Sequence, residues 1–531
     1  MKITSIDIRN HSRISDCTID VRDNLILVGA NGSGKSSIIR CVDLALGKTT
    51  QQLYYSINSS DFEDEEQPFI VEVKLGGLSK DELSFFPDDY DVIDNSLTVR
   101  MEATLDKDDL TIRRYSPKGA RGDNLRREQL ASIGWSMIPS DFSTTQLESG
   151  RKTIVDDYLK EVDASGDQAK LADAIKSLSD AIDGSGAFND ALSSLANQLD
   201  PVLDGGITAS KLHFVPEAAI NGDLLNNVRL QIEGRSGTAR EATEQSDGTK
   251  ALIAFSIFNL LNSGGMIAID EPETHLHPSA QRNLIRILKS TGRQLVIATH
   301  SGVVAGEFEP DNIAVTREGL PPVQPRRGFL AGQEDQKTLA RWWISSRIEL
   351  LTAKQVIAVE GQSDRIMLEE VAENMGCHLE RDGIEILEAG GCREMPHVLE
   401  IFGKSGFGLR VSILVDEDAE KDMADALGVE AGDLTSKSVY VSRSDLEAEY
   451  VAAIGADRLW ETLGKSSLFT PNMLKNCAIS DDSGKPDEDE LAEFCRRKKN
   501  KIFCAVVACK LLDEDSAQRV SSVIEVLQNA V

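Results

Sequence analysis

Two groups of residues in this 531-residue chain have the types and spacing for phosphate chemistry. The first is Gly29-Ala30-Asn31-Gly32-Ser33-Gly34-Lys35-Ser36-Ser37, a GxxxxGK[ST] loop between an apolar strand-like run (Leu25–Val28) and a helix opening at Lys35. The glycines let backbone N–H groups curl around a phosphate chain. Lys35 brings a point charge to the outer phosphates, Ser36 offers a hydroxyl to Mg²⁺, and the helix start adds its partial positive charge. Far downstream, Met266–Ile269 predicts a buried strand ending in Asp270 and Glu271. The first acid is placed to hold the ion's water shell and the second to polarise an attacking water. Ser246 and Gly248 open a further apolar helix and form a second phosphate nest, and Gln294–Thr299 predicts a strand with His300 at its tip. Together these residues predict a nucleoside-triphosphate site.

The second group is made of carboxylates. Gln355–Val359 predicts a buried strand that delivers Glu360, followed by Gly361 and a helix with Asp364 in its first turn. Val411–Val415 predicts another buried strand, ending in Asp416-Glu417-Asp418, and residues 385–391 (EILEAGG) a third. Parallel strands joined by helices bring such ends to one sheet edge, where open α/β folds bind ligands. Carboxylates gathered there repel one another unless a divalent cation neutralises them. An oxygen-only set without His or Cys favours Mg²⁺ or Mn²⁺. Helix capping explains a single strand-end acid; it does not explain two such motifs sharing one crevice.

The elements that must hold these residues predict an α/β chain of several domains. Strand patterns occupy 2–8, 17–28, 68–75, 97–103 and 211–233, with a helical insertion at about 151–205, and the nucleotide-binding domain spans 1–310. Residues 311–351, with the Pro-rich stretch PPVQPRRG (321–328) and a helix bearing Trp342 and Trp343, are expected as a connector. The acidic strands define 352–455, and 456–531 follows as a helical extension. No run approaches the ~18 apolar residues of a membrane span, and the eight cysteines form no CxxC, which reads as reduced thiols in a cytoplasmic protein. The net charge of −30 opposes nucleic-acid binding except through local basic patches. Two are present: Arg113, Arg114, Lys118, Arg121, Arg126 and Arg127, and the cluster Arg496, Arg497, Lys498, Lys499 and Lys501. Solvated surface charge is the plain alternative for both.

The four nucleotide motifs resemble the Walker A, signature, Walker B and switch-histidine motifs of ABC-type ATPases. Glu273-Thr274-His275-Leu276-His277-Pro278 resembles the segment after Walker B that crosses the dimer interface. The resemblance implies that Ser246 and Gly248 act in trans, that His300 senses the γ-phosphate, and that the chain forms a homodimer or a higher homo-oligomer. A Q-loop glutamine stays open between Gln51, Gln52 and Gln146. The acidic pair resembles the Toprim domain, in which the glutamate and DxD bind metal for phosphodiester chemistry. Ser444-Asp445-Leu446-Glu447 resembles an OLD-type acidic motif, which implies Asp445 and Glu447 as ligands of a second metal. Lys499-Asn500-Lys501 resembles the OLD-type transition-state lysine, with Lys501 the favoured position.

The whole arrangement resembles the OLD (overcoming lysogenization defect) family, which includes the nuclease subunit of the Gabija antiphage system. That implies an ATP-regulated, two-metal DNA endonuclease and raises a UvrD-like helicase as a partner. Two other classes stay open here: an SMC/RecF-like repair clamp with a non-cleaving Toprim module, and a topoisomerase or primase. A topoisomerase needs a nucleophilic tyrosine on a separate domain, and Tyr440 and Tyr450 lie too near the acidic motifs to supply it.

Overall fold

The computed structural model describes residues 1–107, 109–119, 122–140, 168–203, 206–216, 228–233, 237–241, 244–261, 264–480 and 484–530. Gln146, Arg121 and the first expected insertion helix (152–162) lie outside them. The chain divides into two compact units, Met1–Pro322 and Val323–Val531.

In the first unit, β1 (Lys2–Arg9) and β2 (Cys17–Asp20) precede the phosphate-loop strand β3 (Leu25–Gly29). Then come β4 (Phe69–Gly76), β5 (Tyr90–Asp91), β6 (Ser96–Asp106), β7 (Asp109–Tyr115) and β8 (Trp135–Ile138). An antiparallel sheet runs β2-β1-β4-β6-β5, with β7 also paired to β6. Its strands alternate, so β4 turns Phe69, Val71, Val73 and Leu75 inward. A small antiparallel sheet joins β9 (Leu212–Pro216), β10 (Val228–Glu233) and β11 (Ala239–Glu241).

The remaining strands are β12 (Met266–Asp270), β13 (Gln294–Thr299), β14 (Ile313–Arg317) and β15 (Leu320–Val323). They complete a sheet in the order β15-β14-β3-β13-β12-β8, in which β14, β3, β13, β12 and β8 run parallel. Strands β3, β12 and β13 are buried at every position, as a sheet covered on both faces requires. The phosphate-loop helix Lys35–Leu46 packs Ile38, Ile39 and Val42 into a core shared with β4, β12 and β13. Of the insertion, helices Gln168–Asp183 and Gly186–Leu199 are described, and the second buries Leu192, Leu195, Ala196 and Leu199 on one stripe.

The expected connector 311–351 is not a linker. Its first part is β14, paired in parallel with the phosphate-loop strand. Its helix Glu334–Ser346 buries Trp343 against Phe402 of the second unit, ring centroids 5.9 Å apart. Apolar strand and helix residues in a Pro-rich setting were enough to fold into both neighbours.

The second unit is built on β16 (Gln355–Val359), β17 (Ile384–Glu388), β18 (Arg410–Asp416) and β19 (Val439–Ser442). All pair in parallel, in the order β17-β16-β18-β19. The chain leaves β16 in one direction to β17 and in the other to β18, so the switch point falls between β16 and β18. Helices Gln362–Asn374, Leu446–Ile454, Glu488–Arg496, Lys501–Cys509 and Ser521–Ala530 share one core, with Val371, Tyr450, Phe494, Val507 and Val526 almost wholly buried. Each such side chain contributes roughly 1.5–3 kcal/mol. This packing brings the C-terminal extension to the strand tips.

Candidate active sites

The register of the first sheet aligns Thr299 with Val28 and Asp270 with Ala298, so Gly29, Asp270 and His300 meet at one edge. The loop backbone takes left-handed turns at Gly32 (φ 79°) and Gly34 (φ 95°). At Gly29 a Cβ would lie 2.2 Å from the Thr316 hydroxyl, so only glycine fits beside β14. Lys35 Nζ donates to the Gly29 and Ala30 carbonyls at 2.9 Å, and Ser36 Oγ donates to Asp270 Oδ1 at 2.9 Å. Burial lowers the Lys35 pKa although Glu271, Asp270 and Glu273 favour its charge, and burial raises that of Asp270. Asn31 and Ser36 are exposed and Ser37 half-buried at the mouth of the loop.

Glu273 holds the switch histidine. Its Oε1 accepts from His300 N at 2.8 Å and faces His300 Nδ1 at 3.1 Å, while Oε2 accepts from Thr299 Oγ1 at 2.8 Å. Glu271 Oε1 lies 3.9 Å from the same imidazole. Glu271 (φ 50°) and His275 (φ 64°) both sit in the left-handed region, so the turn after β12 is strained where it must present these groups. Sequence reading named Glu273 only as part of its motif; its grip on His300 is a tertiary fact. Ser246 Oγ accepts from Thr249 N at 3.4 Å at the start of helix Asp247–Leu261, and a Cβ at Gly248 would meet the His275 carbonyl at 2.7 Å. His277 caps helix Pro278–Ser290. Gln52 caps Thr49, and both Gln51 and Gln52 follow the far end of the phosphate-loop helix from Ser36.

In the second unit, Glu360 follows β16 directly and Asp416 ends β18. Asp364 folds back on its helix start, Oδ2 accepting from Gly361 N at 2.9 Å and Oδ1 from Ser363 Oγ at 3.0 Å. Asp416 Oδ1 accepts from Leu446 N at 3.1 Å. Lys501, from the C-terminal extension, reaches into this group. Its Nζ lies 3.6 Å from Asp364 Oδ1, 3.9 Å from Asp416 Oδ2 and 3.6 Å from Glu447 Oε2. These separations exceed a charge-assisted hydrogen bond, so the ammonium is shared among three acids. Glu447 is 1% exposed and neither of its oxygens has a hydrogen-bond partner; the same holds for Glu360 Oε1.

Burial pushes Asp416 up to about 7 and Glu447 up to about 8, with Lys501 opposing and neighbouring carboxylates adding to the shift. Burial, then the charges of Asp364 and Asp418, raise Glu360. Burial works against the Lys501 charge, yet Asp364, Glu447 and Asp416 carry its pKa well above the ordinary lysine range. Among the described residues no three acidic, His or Cys side chains already converge as a ready ligand set. The ammonium stands among the carboxylates instead. Buried, unpartnered oxygens around a cation are nonetheless the donor set that a hard divalent ion uses.

Asp418 lies exposed beyond the strand tip. Asp445, expected as a metal ligand, has other partners in this structure. Its Oδ1 caps helix Leu446–Ile454 through Ala448 N at 2.8 Å, and its Oδ2 pairs with Arg496 Nε at 2.8 Å. Both oxygens are engaged in aiming Glu447. Glu449, which sequence reading passed over, is likewise structural: it accepts from Arg443 N at 2.9 Å and from Ser522 N and Oγ at 3.0 and 2.9 Å. Lys499 is exposed, so Lys501 alone of the two enters the group.

Fold and site define a class: an ABC-type ATPase domain followed by a Toprim domain. A family model described as "AAA domain, putative AbiEii toxin, Type IV TA system" matches residues 25–305, and the "Overcoming lysogenization defect protein-like, TOPRIM domain" model matches 351–418. The Old nuclease of Escherichia phage P2 is 22% identical over 471 residues, covering 79% of this chain and 77% of that protein. Endonuclease GajA of Bacillus cereus (strain VD045) is 23% identical over 423 residues, covering 74% and 71%. The solved C-terminal region of the Xanthomonas campestris pv. campestris OLD protein is 22% identical, with a TM-score of 0.28, and covers 34% of this chain and 96% of that one. The chain belongs to the AAA family of the first model, and it carries an OLD-like Toprim domain behind that ATPase domain.

Proposed function

We propose that this chain is an ATP-regulated, metal-dependent DNA endonuclease of antiphage defence. One observation carries the reading: Asp364, Asp416 and Glu447 gather from a strand tip and helix starts around Lys501, and buried oxygens of Glu360 and Glu447 have no hydrogen-bond partner among the described residues. These four acids, with Asp418 at the rim, would hold Mg²⁺ or Mn²⁺, which in a pair supplies an activated water and charge stabilisation for the leaving oxygen. Lys501 places a fixed positive charge beside the scissile phosphate. Arg496 and Asp445 keep the Glu447 helix in register.

In the ATPase domain, Gly29, Asn31, Gly32, Gly34, Lys35, Ser36 and Ser37 cradle the triphosphate, and Ser36 and Asp270 serve its Mg²⁺. Glu271 orients the attacking water, and His300, held by Glu273, follows the γ-phosphate. Ser246 and Gly248 act across a dimer of two copies, which makes a homodimer or higher homo-oligomer the working form in the cytoplasm, with a UvrD-like helicase as an accessory. Nucleotide then gates cleavage by favouring one dimer state.

Cleavage of supercoiled plasmid in Mg²⁺ or Mn²⁺, with and without ATP, tests this reading. Full activity in Glu360→Ala would remove the site assignment. Unchanged nucleotide response in both Lys35→Ala and Glu271→Gln would remove the coupling. The ammonium at the centre of the acids favours one other reading, a DNA clamp whose Toprim module does not cut. Absence of cleavage with every divalent ion would establish that alternative.

A further inference from the structure

Among the described residues of the basic run Arg113–Arg127, none takes part in either site. The fold disperses it: Lys118 pairs with Asp91, and Arg113 lies 4.7 Å above the Tyr115 ring. Arg114 faces the other way. Strand β7 alternates, so Ile112 and Arg114 point inward, and Arg114 is 5% exposed. Its Nη1 donates to the carbonyls of Leu44 and Lys48, at 3.3 and 2.5 Å, at the end of the phosphate-loop helix. Its Nε has no partner, and no carboxylate pairs with it among the described residues. Burial alone pushes its pKa down to about 10, with no acid offsetting the shift. A guanidinium stays charged in proteins, and buried charges are almost always paired.

Arg114 lines a cavity of about 500 Å³ between that helix end and helix Arg127–Ile133. Lys48, Arg127, Thr49, Gln51 and Trp135 share the lining, and among the described residues no carboxylate does. Lys48 is held at 3.3 Å by Asp43, which also accepts from Trp135 Nε1 at 3.0 Å, so Arg114 and Arg127 are the lining cations without a carboxylate partner among the described residues. In a chain with 87 acidic and 57 basic residues, a cavity whose charged lining is wholly cationic among the described residues is an electrostatic exception that needs a counter-charge. The volume suits a small ligand. The phosphate loop is at the opposite end of the same helix, about 18 Å away at 1.5 Å per residue.

We propose that this cavity is a second anion site, binding a terminal phosphate group with Arg114 as its buried anchor, Arg127 as its outer cation and Trp135 as an aromatic wall. A free phosphate, a mononucleotide and the 5′ end of a polynucleotide share that chemistry. The test is calorimetry on the full chain carrying Lys35→Ala, which silences the phosphate loop. The probes are inorganic phosphate, thymidine monophosphate, and 5′-phosphorylated dithymidine beside its unphosphorylated form. At least one phosphorylated probe should bind, and the strongest identifies the source. Arg127→Ala, on an exposed side chain, should weaken binding about threefold to tenfold, and Arg114→Met should abolish it. The proposal is overturned if no probe binds at about 1 mM. Binding that Arg127→Ala leaves unchanged overturns it equally, whether or not Arg114→Met folds.

Discussion

Replacing Lys501 with methionine keeps the length of the side chain and deletes a charge 3.6, 3.9 and 3.6 Å from three carboxylates. Each pair at that separation is worth about 4 kcal/mol at an effective dielectric near 20, before desolvation. Breaking a buried pair ordinarily costs 3–5 kcal/mol. Here the loss is capped, because Asp416 and Glu447 sit at about 7 and about 8 and accept a proton near neutrality for less than about 1 kcal/mol each. Lys501→Met should therefore cost only about 1–2 kcal/mol in urea unfolding at pH 7.5 without metal. Metal binding should move the other way. A divalent ion among the same acids is repelled by the ammonium, and removing it should tighten Mn²⁺ binding by at least about tenfold. Cleavage should fall about 10²–10³-fold, as when one preorganised charge-stabilising group is deleted. Mn²⁺ titration by electron paramagnetic resonance and plasmid cleavage read the two effects separately. Weaker Mn²⁺ binding together with undiminished cleavage would refute the electrostatic account of this site.

The raised pKa values of Asp416 and Glu447 mean that the folded chain holds protons which the unfolded chain, with carboxyls at 3.8 and 4.5, has released. The contribution of these two groups is greatest at low pH and is lost as pH climbs through about 7 and 8. Without divalent ions the melting temperature should fall from pH 6 to pH 9, and Mg²⁺ should stabilise more at the alkaline end; scanning fluorimetry showing the reverse slope would contradict this. Arg496→Ala leaves Asp445 Oδ2 without its ion pair and should weaken Mn²⁺ binding about tenfold through the loosened Glu447 helix, with the overall melt little changed. Glu273→Gln removes the charge facing His300 Nδ1 at 3.1 Å, and ATP turnover, measured by phosphate release, should drop while ATP binding persists. Gly29→Ala drives a Cβ to 2.2 Å from Thr316 Oγ1, which should cost about 1–3 kcal/mol and abolish ATP binding in a filter assay.

The phosphate loop and the acidic strand tips were legible in the primary sequence because their chemistry is local. A glycine turn, a helix start and an acid at the end of an apolar run are each written in consecutive residues, and parallel pairing does the rest. The strand pattern at 313–317 was equally local, yet its place beside the phosphate-loop strand was not, since a parallel partner can come from anywhere in the chain. Tertiary structure alone decided which charges remain unspent. Asp445 and Glu447 look alike in one short motif, but Arg496 and a helix N–H occupy Asp445, while Glu447 is buried with neither oxygen hydrogen-bonded and only the shared Lys501 charge nearby. Lys499 and Lys501 differ by two positions, and the turn before helix Lys501–Cys509 leaves one in solvent while the helix start carries the other into the acids. Arg113 and Arg114 differ by one, and the strand pleat sends them to opposite faces. Residue type sets what a side chain can do; the partners delivered by distant segments set whether it is free to do it.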